Sequence, residues 1–341
     1  GVLLSAFSAA GAAPKAATNA PITTPAVPSP LIHVLTEIAC STPHALKGKI
    51  YDVLNRYMPL LQGAKTAEVK LLLFRALCSL CSALVNCIMR QPDNPILNSD
   101  PAFTLTFGAT CRELWRFLED PEAAPRGWFA NDLKEQLEED DEWKRVQQGL
   151  STAFALLMSS WQSSKDTAVR VAAMETLGHL SLVISRDLFL TNADALLELL
   201  LNLLARQVAA SPNAPPVRLA RGLCLLVQAC IHTDPEILLL ENALQTLTTT
   251  MFTWVVGSGP LLYWQAGPGA GEALLSQNEL LRCFEVHAMQ FGKQILGFLT
   301  QRAKGSRDDR LGALLVFRHL LSTGNWRPKP IAVMDAIQHL I

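Results

Sequence analysis

Charge imbalance is the first thing this chain lacks. Its 341 residues carry 29 Lys plus Arg against 30 Asp plus Glu, a formal net charge of −1. Without a positive excess there is no electrostatic basis for holding nucleic acid, and none is expected as a partner. Aromatic residues are scarce, at 7%. With Leu and Ala dominating the apolar half, that composition suits close helix packing better than a β-sandwich. No window holds eighteen uninterrupted apolar residues. Ile237–Val256 comes closest, but Glu241, Asn242, Gln245 and several Thr interrupt it, so no transmembrane segment is expected. Catalytic and metal signatures are also missing. There is no His-Glu-x-x-His, no Gly-x-Ser-x-Gly and no His pair at helical ligand spacing. The expectation is a protein that is not an enzyme and holds no cofactor and no metal.

What is present is helical periodicity, plainest from Ser163 to Arg206. Ala168, Val169, Ala172, Ala173, Leu177, Leu180, Val183 and Ile184 recur at three- and four-residue steps and share one helix face. Asp166 stands where a carboxylate can cap free backbone N–H groups. Thr191, with Asp194 three residues on, reads as the N-cap of a second helix. One such hairpin cannot bury both of its apolar faces, so it requires similar hairpins beside it.

The rest of the chain supplies them. Helices are expected at about Leu31–Ala39, Leu46–Leu61, Thr66–Met89, Thr104–Leu118, Val146–Trp161, Asp166–Ile184, Asn192–Arg206, Pro216–His232, Pro235–Val256, Glu272–Met289, Gly292–Ala303, Asp308–Ser322 and from Pro328 onward. Residues 1–13 read as the end of a repeat helix, and both chain ends look cut from something longer. Residues 14–30 are a Pro/Ala/Thr-rich linker. Repeats occupy 31–118, 144–256 and 272–341, separated by an acidic insertion at 119–143 and a Gly/Pro-rich loop at 257–271.

Several second helices share an opening signal: AEVK at Ala67–Lys70, TAVR at Thr167–Arg170, PPVR at Pro215–Arg218, ELLR at Glu279–Arg282 and DDRL at Asp308–Leu311. In the first four an aliphatic residue precedes a basic one, which marks HEAT-type repeats with irregular insertions. Arg170 opposes the helix dipole, so a hydrogen bond to the neighbouring repeat is its expected task. The fold class is all-α: a HEAT-like helical-hairpin solenoid, an α-α superhelix of six to eight hairpins.

The chemistry-bearing candidates are few. Cys78-Ser79-Leu80-Cys81 is a C-x-x-C, but it falls in mid-helix on the apolar face, where core packing is the stronger reading. Cys224, Cys230 and Cys283 also fall on apolar faces, as reduced thiols would. Gly267–Gly271 lacks the Lys-Ser/Thr ending of a phosphate loop. His179 reads as a core or boundary residue. The acidic run Glu135–Glu142, with Trp128 and Phe129 as an aromatic anchor, is a candidate contact for a protein partner, and so are Tyr263 and Trp264. Arg302, Lys304, Arg307 and Arg310 form a basic cluster able to meet an anionic surface.

SQNELLRCFEVHA at Ser276–Ala288, followed by LGALLVFRHLL at Leu311–Leu321, resembles the maestro HEAT-like repeat family. AEVKLLLFRALCSLC and TAVRVAAMETLGHLS fit the N-terminal region of such proteins in order. The resemblance covers most of the chain, and its motifs are packing motifs. It implies a large, wholly helical cytoplasmic protein without a catalytic centre, a scaffold or adaptor for other proteins. It also implies a link to endolysosomal or vacuolar membranes, through peripheral contact.

Overall fold

A computed structural model describes residues 29–41, 49–89, 141–181, 183–210, 215–258 and 270–323. Among them ten α-helices follow in chain order: α1 (Ser29–Ser41), α2 (Ile50–Gly63), α3 (Ala67–Met89), α4 (Asp141–Ser163), α5 (Thr167–Ser181), α6 (Arg186–Ala210), α7 (Val217–Thr233), α8 (Ala243–Ser258), α9 (Ala270–Ala303) and α10 (Arg307–Thr323). A 3-10 helix, Pro235–Asn242, precedes α8. No strand occurs among the described residues. The expected helices at Thr104–Leu118 and beyond Pro328, the linker and most of the acidic insertion lie outside them.

Local chemistry sets where these helices begin. The Thr66 hydroxyl accepts from the Val69 N–H at 3.4 Å, and Asp166 Oδ1 accepts from the Ala168 N–H at 2.8 Å. At α10 the Ser306 hydroxyl accepts from the Asp309 N–H (3.1 Å) and donates to Asp309 Oδ2 (2.9 Å), a reciprocal capping arrangement. The expected cap at Thr191 is incorrect. α6 starts at Arg186, and Ser185 Oγ accepts from the Leu188 N–H at 3.4 Å. The earlier start lets Phe189, 1% exposed, join the apolar face.

α1 to α5 form one compact unit. Its first layer is α2 against α4, and its second is α1, α3 and α5 side by side. Gly149 of α4 lies against Leu54 of α2, where a Cβ would meet the leucine side chain at an ordinary 3.7 Å. The layers are tied by Tyr57, whose buried hydroxyl donates to the Leu73 carbonyl, and by Gln147 Nε2, which donates to the Val183 carbonyl at 2.7 Å. Between α3 and α5 the Cys78 thiol donates to Thr176 Oγ1 at 3.3 Å. The layering places α1, a lone short helix by its sequence, as the neighbour of α3.

The second unit holds α7 to α10 with α6. α7 and α9 lie side by side, and α8 and α10 pack on α9. A single helix over Pro235–Val256 was expected. Instead Asn242, at φ 58°, breaks it, a conformation that Asn tolerates better than most residues. Upstream, Asp234 Oδ1 accepts from the Glu236 N–H at 3.0 Å and opens the 3-10 turn. α9 is two helical pieces meeting at Phe291 (φ −113°, ψ 38°), close to the two helices read from the sequence.

α10 approaches α8 through Gly312. A Cβ there would stand 2.6 Å from Val256 Cγ2 and 3.2 Å from Phe252 Cζ. Gly312→Ala should gain about 1 kcal/mol of helix propensity and lose about 1–3 kcal/mol to overpacking. The expected net effect is a destabilised variant in urea unfolding. A stabilised variant would show that α10 does not seat this closely.

α6 is long and apolar enough, by length and composition, to cross a membrane. Phe189, Ala193, Leu196, Leu197, Leu200, Leu203 and Leu204 are buried along one face, whereas Asp194, Glu198, Asn202 and Arg206 are exposed. That amphipathic division is what a packed repeat helix requires.

Candidate functional site

The sequence-derived contact residues Trp128, Phe129, Tyr263 and Trp264 lie outside the described residues. Within them, polar chemistry concentrates along the α7–α9 seam. α7 begins after Pro215-Pro216, where a fixed φ presets the first turn and leaves the Pro215 carbonyl outside the helix. Ser276 Oγ of α9 donates to that carbonyl at 2.8 Å. One and two turns along, Arg221 Nε donates to Glu279 Oε1 at 3.3 Å, and Arg282 Nε donates to Cys224 Sγ at 3.3 Å. The partners are 61, 58 and 58 residues apart, so the helices run parallel in a nearly constant register.

Glu279 is the hub. Its Oε2 lies 3.1 Å from Arg282 Nη2, with the glutamate side chain 14% and the arginine side chain 9% exposed. Arg221 remains 39% exposed, so its contribution is partly screened. Beside this pair, Cys224 and Cys283 face each other and are free thiols. The Cys283 thiol donates toward Cys224, lowering the Cys224 pKa against the opposing effect of burial, and Arg282 adds to the lowering. Burial first, and that donated bond second, push Cys283 up.

Deeper in the second unit sit Gln228, Gln277 and His287, at most 1% exposed. The amides of Gln228 and Gln277 and both ring nitrogens of His287 have no hydrogen-bond partner. Burial alone lowers His287 to about 3, so its ring is neutral at ordinary pH. Toward α10, Glu285 Oε2 lies 3.4 Å from His319 Nε2.

Other expected groups are placed as follows. Cys81 is buried in mid-helix and pushed well up by burial, as a core thiol should be. Burial first, and the neighbouring Cys78 and Cys81 second, push the Tyr57 phenol well up. His179 is a buried core residue, 5% exposed. Among the described residues Arg170 makes no hydrogen bond to a neighbouring repeat; its Nη2 donates to Thr167 Oγ1 at 3.4 Å. Arg282 makes that cross-helix bond instead, from the middle of α9. The basic cluster is divided. Arg302 lies 5.4 Å over Phe252 and 5.1 Å over Phe298 and pairs with Asp309 at 3.9 Å, so it braces α8, α9 and α10. Lys304, Arg307 and Arg310 are exposed. No group of three metal-ligating side chains occurs among the described residues.

Glu279, the facing thiols and His287 carry no signature in the sequence as site residues. The one available signal was Arg282 beside Cys283 within ELLRC.

Helical hairpins stacked in layers, tied by buried polar contacts between successive helices, define a HEAT-like helical repeat protein. The comparisons agree. The chain is 25% identical over 297 residues to a maestro HEAT-like repeat-containing protein family member 1 homolog of Caenorhabditis elegans, covering 86% of this chain and 15% of that protein. The Dictyostelium discoideum member 1 is 24% identical over 194 residues, 55% of this chain and 11% of that protein. The Homo sapiens member 1 is 26% identical over 175 residues, 50% of this chain and 10% of that protein. The resemblance to the maestro HEAT-like repeat family is therefore borne out. The chain spans between 10% and 15% of the length of these relatives. No family model matches it, and no solved structure matches it.

Proposed function

We propose that this chain is a stretch of a non-enzymatic scaffold or adaptor whose stacked hairpins present a surface to other proteins. The observation that supports this reading is where the buried charges go. Glu279 and Arg282 of α9 bond to Arg221 and Cys224 of α7, and the half-buried Arg302 lies over Phe252 of α8 and pairs with Asp309 of α10, a structural use that leaves the outward faces open to partners. The test is stepwise removal of whole hairpins from the full-length protein, with recovery of its cellular partners measured after each step. Graded loss is expected. Turnover of a substrate that depends on one residue would overturn the reading.

A second reading is peripheral contact with anionic membrane, on a cytoplasmic protein at endolysosomal or vacuolar membranes. It rests on the family resemblance and on exposed Lys304, Arg307 and Arg310 at the α9–α10 turn. It is weakened by Asp308 and Asp309 in the same turn and by the engagement of Arg302. Co-sedimentation with phosphatidylserine vesicles, lost in Lys304→Glu/Arg307→Glu, would support it. Equal recovery with neutral vesicles would exclude this turn as the contact.

A further inference from the structure

The facing thiols at the α7–α9 seam are built for more than packing. A buried cysteine ordinarily meets only carbon, and burial then holds its proton on, as at Cys230, pushed up to about 12. Cys224 meets two donors. Arg282 Nε points at its sulfur from 3.3 Å, and the Cys283 thiol points at it from the same helix, α9. Glu279 holds that guanidinium, and Arg221 holds Glu279 from α7. Arg282 and Cys283 of α9 thus favour a thiolate at Cys224 of α7, against burial and the Glu279 carboxylate, which favour the thiol.

We propose that Cys224 and Cys283 are a redox-modification site, forming a reversible disulfide between successive helical repeats when the protein meets a hydroperoxide. The chemistry balances as follows. The Cys224 thiolate sulfur attacks one oxygen of hydrogen peroxide; an S–O bond forms, the O–O bond breaks, and the departing hydroxide takes a proton to become water. The Cys283 sulfur then attacks the Cys224 sulfenic sulfur; an S–S bond forms, the S–O bond breaks, and the Cys283 proton leaves with the hydroxyl as a second water. Two thiols lose two electrons in total, and one peroxide becomes two waters.

The asymmetry of the pair suits this order. Cys224 is favoured as the attacking sulfur by the Arg282 Nε–H 3.3 Å away, whereas burial holds the proton on Cys283 until the sulfenic acid stands before it. Both thiols are fully buried, so access depends on a local opening of the seam. Arg221, 39% exposed, marks its solvent side, and hydrogen peroxide is scarcely larger than water. The product would fasten α7 to α9, replacing a hydrogen-bonded contact with a covalent one. Cys78 and Cys81 do not compete on these terms, since they lie on one helix against Tyr57 and Cys81 is pushed up by burial.

The test is a hydrogen peroxide titration of the full chain, purified under reductant, followed by denaturation, alkylation and peptide mass spectrometry. A Cys224–Cys283 linked peptide should appear at lower peroxide than any oxidation of Cys230, and dithiothreitol should remove it. The oxidised chain should melt higher than the reduced one. Arg282→Met should slow linkage at least ~10-fold, because the thiolate fraction falls. Cys224→Ser, a small change in volume, should abolish the link, and helical circular dichroism retained by both variants excludes a folding artefact. The proposal is overturned if both cysteines are recovered alkylated at peroxide levels that already oxidise the half-buried Met289. It is equally overturned if Cys224 is recovered as a sulfinic acid beside an intact Cys283 thiol.

Discussion

His287→Leu should flatten the acid limb of this protein's stability curve. In the folded chain the imidazole is fully buried, with no hydrogen-bond partner at either nitrogen, and burial lowers its pKa to about 3. In the unfolded chain it returns to about 6.5. Between these values the unfolded state binds a proton that the folded state refuses, so acid favours unfolding. The contribution is fully present above about pH 6.5 and is lost at about 1.4 kcal/mol per unit as the pH falls, about 4–5 kcal/mol by pH 3. Other titrating groups are common to both chains and cancel in the difference. Urea unfolding at pH 7.5, 5.5 and 4.5 measures it directly. At pH 7.5 the Leu variant should match or exceed the parent, because it removes polar atoms that have no partner. Parallel stability curves would mean that the native protein protonates His287 as readily as the unfolded chain does, and that the ring is not sealed from water.

Glu279→Ala should be the most damaging single change at the α7–α9 seam. It leaves the Arg282 guanidinium, 9% exposed, buried without its carboxylate. Breaking a buried pair from one side costs about 3–5 kcal/mol, because a desolvated charge is stranded. Little of that comes through Arg221, which is 39% exposed and can turn to water. Glu279→Gln keeps an acceptor and should cost less. The informative companion is Glu279→Leu with Arg282→Met, which removes both charges and should recover most of the loss. Urea midpoints with an unchanged dependence on denaturant are the readout. A Glu279→Ala variant within about 1 kcal/mol of the parent would show that Arg282 escapes to solvent and that the seam is not dry.

Both effects arise at residues that the sequence marked weakly or not at all, and the reason is register. In the first unit the opening signals AEVK and TAVR place Lys70 and Arg170 one hundred residues apart. The contacts of Thr176 with Cys78 and with the Phe74 carbonyl, 98 and 102 residues apart, follow the same alignment. In the second unit PPVR and ELLR place Arg218 and Arg282 sixty-four residues apart, yet the helices meet at an offset of 58. α9 begins at Ala270, nine residues before ELLR, so that signal lies in mid-helix. Arg282 therefore faces Cys224 instead of Arg218, and Cys283 comes opposite Cys224.

By itself the sequence determined which segments are helical, where most of them start and which face of each is apolar. Those properties depend on three- and four-residue periodicity and on caps such as Asp166 and Ser306, all contained within a turn or two of chain. It also determined the HEAT-like class, because a hairpin with two apolar faces has to stack. Only the tertiary structure decided that α1 joins α3, that Asn242 breaks the helix before α8, and that Arg302 lies over the touching rings of Phe252 and Phe298. It alone placed Cys224, Cys283, Glu279 and Arg282 together. Local pattern specifies a helix and its faces; how far one helix slides along another is settled by the summed packing of both surfaces, which no short window of sequence contains.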